Sequence, residues 1–138
     1  EGLDGPGLKP VMALYSRVAA VRAFPADTPV SYGCTASFGP DGGRTAVLPI
    51  GYADGLHRAL SNRGSVWLDG HARPIMGRVC MDMCMAALPP EAQVKPGDVA
   101  EVFGAHLPVE EHARLAGTIQ YELLCGVAPR VPRIYLDA

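Results

Sequence analysis

A strong charge of either sign is missing from this sequence. Twelve Lys and Arg stand against fourteen Asp and Glu, for a formal net charge of −2. That near balance excludes the basic footprint of a nucleic-acid binder or of a protein held to an anionic membrane surface. Long apolar runs are missing too. Charged or turn-forming residues interrupt every hydrophobic stretch well short of the ~20 residues needed to cross a bilayer, and the Gly-rich start lacks the basic and apolar regions of a signal peptide. We therefore expect no membrane partner and a cytoplasmic location. Cysteine is sparse: Cys34, Cys80, Cys84 and Cys125 lie in apolar stretches, which favours reduced, buried thiols over a disulfide framework. Cys80 and Cys84 lack the second Cys/His pair of a zinc site, and His57, His71, His106 and His112 show no metal or triad spacing. The histidines read as surface or turn residues, and no metal is expected. Lysine is limited to Lys9 and Lys95.

What is present suits one globular domain: 138 residues, 49% of them hydrophobic, enough for a single core and too few for two. Residues 1–7, Glu-Gly-Leu-Asp-Gly-Pro-Gly, have a linker's composition, so the domain itself is expected over 8–138, joined to something larger.

Residues 11–24, rich in Val, Ala and Leu with Arg17 and Arg22 interposed, predict one long or two short strands ended by Pro25. Residues 30–35 predict a short strand and 38–43 a turn, with 44–50 pairing back across it. Leu68-Asp69-Gly70-His71 carries the Asp-Gly signature of a two-residue hairpin. Residues 79–87 predict a further strand, placing Cys80, Asp82 and Cys84 on one face and Met81, Met83 and Met85 on the other. Lys95-Pro96-Gly97-Asp98 turns the chain into a strand at 99–103. Helices are expected over 109–116, opened by Pro108 with Glu110 and Glu111 in the first turn, and over 120–125 after Thr118. A turn of helix can also follow Gly55. Six or so short strands with Gly/Pro turns argue a mainly β fold: a closed or nearly closed antiparallel barrel with a short helical segment near the C-terminus.

Six local motifs then occur in order. They are Leu8-Lys9-Pro10-Val11-Met12, Val30-Ser31-Tyr32-Gly33, Pro49-Ile50-Gly51-Tyr52-Ala53-Asp54-Gly55, the run Gly77-Arg78-Val79-Cys80-Met81-Asp82-Met83-Cys84-Met85, Ile119-Gln120-Tyr121-Glu122, and Pro129-Arg130-Val131-Pro132-Arg133. Taken together they resemble the C-terminal domain of bacterial alanine racemases, over residues 8–135. The resemblance implies a pyridoxal 5'-phosphate enzyme that interconverts L-alanine and D-alanine, the latter a building block of peptidoglycan. It further implies an N-terminal barrel domain, absent from this sequence, that carries the Schiff-base lysine, and a head-to-tail homodimer.

By the same resemblance Tyr32 matches the tyrosine that serves as acid and base on the L-alanine face. Met81 matches the residue whose backbone amide holds the substrate carboxylate. Tyr52 matches a residue near the substrate entrance, and Tyr121 the tyrosine whose hydroxyl binds the cofactor phosphate. An unperturbed phenol, with a pKa of about 10, is a poor base at neutral pH. In the family its help comes from a histidine and an arginine on the partner subunit's barrel. The residues alone also allow plainer readings: Tyr32 as a packed strand tyrosine, the methionines as core filler, Tyr121 as a helix residue packed on the barrel. Asp82 needs a partner if buried, and both Arg78 and Arg130 are available.

Lys9 and Lys95 lie in a leading segment and a Pro-Gly turn, neither suited to a Schiff base, so this chain alone is expected to be inactive. Two other functions stay open on the residues. One is the C-terminal domain of a related pyridoxal-phosphate decarboxylase or of a broader amino-acid racemase. The other is a free-standing small barrel used as a binding or oligomerisation module.

Overall fold

The apolar stretch after Met12 divides into two strands, β1 (Leu14–Arg17) and β2 (Ala20–Phe24). The computed structural model describes residues 9–136, and the expected linker over 1–7 lies outside them. Between the two strands the chain steps from one sheet to another. Val18 N–H donates to the Asp98 carbonyl at 2.9 Å, and Ala19 N–H to that of Val47 at 2.8 Å. Then follow β3 (Pro29–Val30), β4 (Ala36–Ser37), β5 (Gly43–Leu48), β6 (Ser65–Leu68), β7 (His71–Pro74), β8 (Cys84–Leu88) and β9 (Val99–Phe103). Their ladders are antiparallel.

The fold is mainly β with two short helices, but the expected barrel is not confirmed. Its strands form a four-stranded sheet ordered β1-β9-β6-β7, a three-stranded sheet β2-β5-β8 and a ribbon β3-β4, which do not close into one hydrogen-bonded cylinder. The two larger sheets meet at an isolated bridge between Ile75 and Ala86. Strand β7 ends just before it at Pro74, and the hairpin pairing runs one step further, with Ile75 N–H donating to the Gly64 carbonyl at 2.9 Å. Both sheets nevertheless cover one core. Leu14, Val66, Leu68 and Val102 face Leu48, Cys84, Ala86 and Leu88 in a single buried cluster, with Val109, Ala113 and Leu123 of the helices closing it. Burial alternates along β6 and β8, as the two-residue strand period requires.

Where local signals are strong, structure and expectation agree. The hairpin between β6 and β7 sets Leu68 opposite His71. Asp69 and Gly70 take the positive φ values of 55° and 70° that this turn demands. Helix α1 (Val109–Ala116) begins after Pro108 and ends on left-handed Gly117, and α2 (Gln120–Gly126) follows two residues later. Residues 58–60 form the short helical turn anticipated after Gly55.

Elsewhere the structure corrects the reading. β5 pairs with β2 and β8, not with the 30–35 stretch. That stretch stops being a strand at Val30, because Ser31, Gly33 and Cys34 have φ of 65°, 74° and 48°, outside the strand region. The strand expected over 79–87 starts only at Cys84. Before it, Cys80 N–H donates to the Met83 carbonyl at 2.9 Å and folds 80–83 into a tight turn. His112 is not a surface residue: it is buried, its ring bonded to the Ser65 carbonyl at 3.0 Å. Nor are all the thiols buried. Cys34 and Cys125 are exposed, whereas Cys84 lies in the core, where burial, aided by nearby Cys80, pushes its thiol up to about 12. All four are free. Among the described residues no helix is long and apolar enough to cross a membrane.

Candidate functional site

Three segments outside the strands border one open cleft of about 430 Å³. They are the turn after β3, the turn after β5, and the 77–83 loop before β8. Each owes its shape to residues that regular strands do not tolerate. Tyr32 begins the first, a short 3-10 turn over Tyr32–Cys34 in which Gly33 is left-handed. The tyrosine is 76% exposed, so it does not pack its ring into a core as a strand tyrosine would.

Polar contacts fasten that turn to the 77–83 loop. Ser31 Oγ donates to the Arg78 carbonyl at 2.9 Å, and Arg78 Nε donates to the Tyr32 carbonyl at 3.2 Å. Asn62 reaches both segments: its amide donates to Thr35 Oγ1 at 3.1 Å and its Oδ1 accepts from Gly77 N–H at 2.6 Å. Ser61 Oγ accepts from Val79 N–H at 2.9 Å. Sequence reasoning passed over Asn62. Its place in a Ser-Asn-Arg-Gly turn was the available signal, since Asn readily takes the left-handed conformation it has here, with φ of 57°.

The second loop carries Tyr52. Asp54 closes it by accepting from Gly51 N–H at 2.9 Å. It is laid directly on the third loop: Tyr52 N–H donates to the Cys80 carbonyl and Ala53 N–H to the Met81 carbonyl, both at 3.0 Å. A Cβ at Gly51 would strike those same two carbonyls, so only glycine lets the backbones approach. Met81 is 54% exposed and Met83 is likewise exposed; neither fills the core. The Met81 carbonyl is occupied, but its N–H has no acceptor among the described residues. An open backbone donor of this kind is available to a ligand oxygen.

Thus Tyr32, Tyr52 and Met81 line the same cleft, together with Arg58, Arg78 and Asp82. The two arginines supply positive charge that suits a small carboxylate. Tyr121 does not line this cleft. It lies in the first turn of α2 and is exposed rather than packed against the sheets.

Of the two arginines open to Asp82, the structure selects Arg130, whose Nη2 lies 2.7 Å from Asp82 Oδ1. The same guanidinium holds Asp54 Oδ1 at 2.8 Å through Nε, and these hydrogen bonds and charges raise its affinity for its proton further. Among the described residues no three His, Cys, Asp or Glu side chains come together as a metal site.

Comparison with known proteins gives a consistent picture. Residues 11–135 match the family described as alanine racemase, C-terminal domain. The chain is 46% identical over 130 residues to the alanine racemase of Desulforamulus reducens, covering 94% of this chain and 35% of that protein. To the alanine racemase of Methanococcus maripaludis it is 45% identical over 133 residues, with the same coverages. Among solved structures it superposes with a TM-score of 0.90 on an alanine racemase from D-cycloserine producing Streptomyces lavendulae, at 37% identity over 96% of this chain and 35% of the other. It matches equally, at 0.90 and 33% identity, an alanine racemase from Bartonella henselae with covalently bound pyridoxal phosphate, covering 98% of this chain and 37% of that one. The chain therefore spans about 35% of the length of these curated relatives.

Proposed function

The chain belongs to the family of alanine racemase C-terminal domains, and from that premise we propose that it supplies one wall of the active site of a pyridoxal-phosphate racemase. The whole protein would interconvert L-alanine and D-alanine in the cytoplasm and so feed peptidoglycan synthesis. The observation that carries this reading is the cleft itself, where an exposed phenol, an unengaged backbone N–H and two arginines converge.

In this reading the Met81 N–H donates to the substrate carboxylate, and Arg58 and Arg78 favour its negative charge from the same wall. Tyr32 Oη takes the α-proton from the L-alanine face or returns one to it. Tyr52 flanks the mouth and limits what enters. Racemisation needs a proton removed from one face and one delivered to the other, so a single phenol is half of the machinery. Bound pyridoxal phosphate supplies the electron sink for the charge left at Cα. This chain fits a contributing role toward that group. Tyr121 offers an exposed phenol O–H for the phosphate. The lysines do not suit a Schiff base: Lys9 and Lys95 are both exposed, whereas the role needs a partly desolvated amine. The anchoring lysine and second base then come from an N-terminal barrel domain, with Tyr32 serving the barrel of the other subunit in a head-to-tail homodimer. By itself the domain is inactive.

The test is proton exchange in D₂O by the full-length protein and its Tyr32→Phe variant, followed by NMR. Loss of the phenol should cut racemisation and exchange of the L-alanine α-proton by at least about 100-fold. Exchange of D-alanine, served from the other face, should persist. L-alanine exchange at the wild-type rate in Tyr32→Phe would remove Tyr32 from the chemistry, and amine formation with carbon dioxide release would reassign the reaction to a decarboxylase.

A further inference from the structure

Arg130 lies on the tail beyond α2, yet its guanidinium ties together two separate loops of the cleft. Nε donates to Asp54 Oδ1 at 2.8 Å and Nη2 to Asp82 Oδ1 at 2.7 Å. Asp54 closes the turn that bears Tyr52, and Asp82 directly follows Met81. The tail is itself well fixed. Ala128 N–H donates to the Asp54 carbonyl at 3.1 Å, Val127 is buried, and a Cβ on Gly55 would run into the backbone at Val127. Arg133 donates from Nη2 to the Val127 carbonyl at 2.8 Å and from Nη1 to that of Ala128 at 3.1 Å. Arg130 is therefore a fork on a rigid mount.

We propose that Arg130 is a positioning residue: by gripping Asp82 from the tail and Asp54 from the neighbouring turn, it sets the backbone at Met81 so that its N–H meets the substrate carboxylate. The role rests on the reading of Met81 given above. Three observations favour it over a role in general stability. Arg130 and Asp82 are each more than half exposed in their side chains, so the Asp82 arm, unlike the arm to the largely buried Asp54, contributes little to global folding. The fork is planar and bidentate across two loops, a geometry that fixes direction as well as distance. Finally, the other backbone tethers of the 80–83 turn hold its carbonyls, through Tyr52 and Ala53, and Cys80 N–H. The Cys80 carbonyl and the Met81 N–H share one planar peptide, so the Tyr52 bond orients that N–H from the turn that Asp54 closes, and the Asp82 side chain adds a tether on the residue after Met81.

The decisive measurement is steady-state kinetics on the full-length protein with Arg130→Gln, Arg130→Lys, Asp82→Asn and the Arg130→Gln/Asp82→Asn pair. Propionate, which keeps the carboxylate and lacks the amine, serves as the competitive probe. Each single loss should raise both the KM for L-alanine and the propionate Ki about tenfold, the cost of a misplaced hydrogen bond to a charged group, while kcat changes far less. The double variant should be no worse than Arg130→Gln alone, which already releases both Asp82 and Asp54. Lys, which supplies the charge without the fork, should restore only part of the loss. Unchanged KM and Ki in Asp82→Asn would overturn the proposal, as would parallel, additive losses in kcat. Should Arg130→Gln fail to fold, Asp82→Asn, an exposed carboxylate, decides alone. A wild-type protein that does not interconvert alanine overturns the proposed function, and this role with it. Active wild-type with indifferent variants overturns this role only.

Discussion

The Tyr32 carbonyl accepts a hydrogen bond from Arg78 Nε at 3.2 Å, which makes the turn carrying the phenol and the loop carrying the Met81 amide one mechanical unit. Neither segment belongs to a sheet; each is placed by the other. A site assembled this way relies on a few side chain to backbone contacts, so small steric changes at the junction should reach the chemistry before they reach the fold.

Gly33 offers a direct check. It has φ of 74°, and a Cβ there would lie 3.2 Å from Arg78 Nε. Gly70, in the β6–β7 hairpin, has a similar φ of 70° and nothing within 4 Å of its would-be Cβ. Alanine at either site pays the left-handed penalty of about 1 kcal/mol. Only Gly33→Ala also displaces Arg78. Comparable falls in thermal midpoint are expected, with racemase activity reduced in Gly33→Ala alone. Equal activities in the two variants would show that the Arg78 contact does not matter to the site.

The proposed division of the catalytic pair between subunits predicts complementation. A full-length Tyr32→Phe protein and a full-length variant lacking the Schiff-base lysine should each be inactive. Exchanged into mixed dimers, they should recover activity at one of the two sites. Activity should track the fraction of heterodimer measured by native mass spectrometry. Heterodimers that form and stay inactive would place Tyr32 and the lysine in the same subunit.

The parts of the fold that were legible in the sequence are those set by local signals. Pro108 with Glu110 and Glu111 marked α1, and Asp69-Gly70 marked the hairpin, because capping and turn chemistry act within a few residues. The residues of the cleft were legible only through family motifs. Ser31 and Cys34 are not turn-forming glycines, yet both are held at positive φ, and Ser31 Oγ is held by the Arg78 carbonyl 47 residues away. Periodicity therefore extended the strand through Tyr32 and ran another from Val79. The Arg130 fork was half visible: Asp82 needed a partner, but pattern alone offered no way to choose between Arg78 and Arg130, which only tertiary packing separates.

Thr45 in β5 is fully buried, and its hydroxyl has no hydrogen-bond partner among the described residues. An unpaired buried hydroxyl costs on the order of 1 kcal/mol or more, while its neighbours in the β2-β5-β8 sheet are served by backbone pairing. Thr45→Val keeps the shape and the β-branched preference for a strand. It should raise the thermal midpoint by a few degrees, about what 1 kcal/mol yields in a domain of this size. A lower midpoint would mean that the hydroxyl does find a partner.

His112 and Glu101 divide the acid response between two pH windows. Burial lowers the pKa of His112 from the ordinary 6.5, more than its bond to the Ser65 carbonyl and the nearby Glu111 raise it. A carbonyl only accepts, so Nε2 carries the proton of the neutral ring. The folded chain thus refuses a proton that the unfolded chain takes up. Stability from this site is complete above pH 6.5 and falls as the pH drops toward the lower folded value. Burial tends to raise Glu101, but hydrogen bonds from the His106 ring and from the Leu107 and His106 amides, with the charge of His106, outweigh it and hold the carboxyl below its ordinary 4.5. Its contribution is complete above 4.5 and is lost as the pH falls through its folded value. Urea midpoints should accordingly decline from pH 6.5 downward and steepen below 4.5. Replacing the imidazole in His112→Gln removes the titration while leaving an amide N–H for Ser65, so it should flatten the upper part of the profile and leave the lower part in place. A wild-type midpoint that rises on acidification between those two values would reverse the assigned direction of the His112 shift.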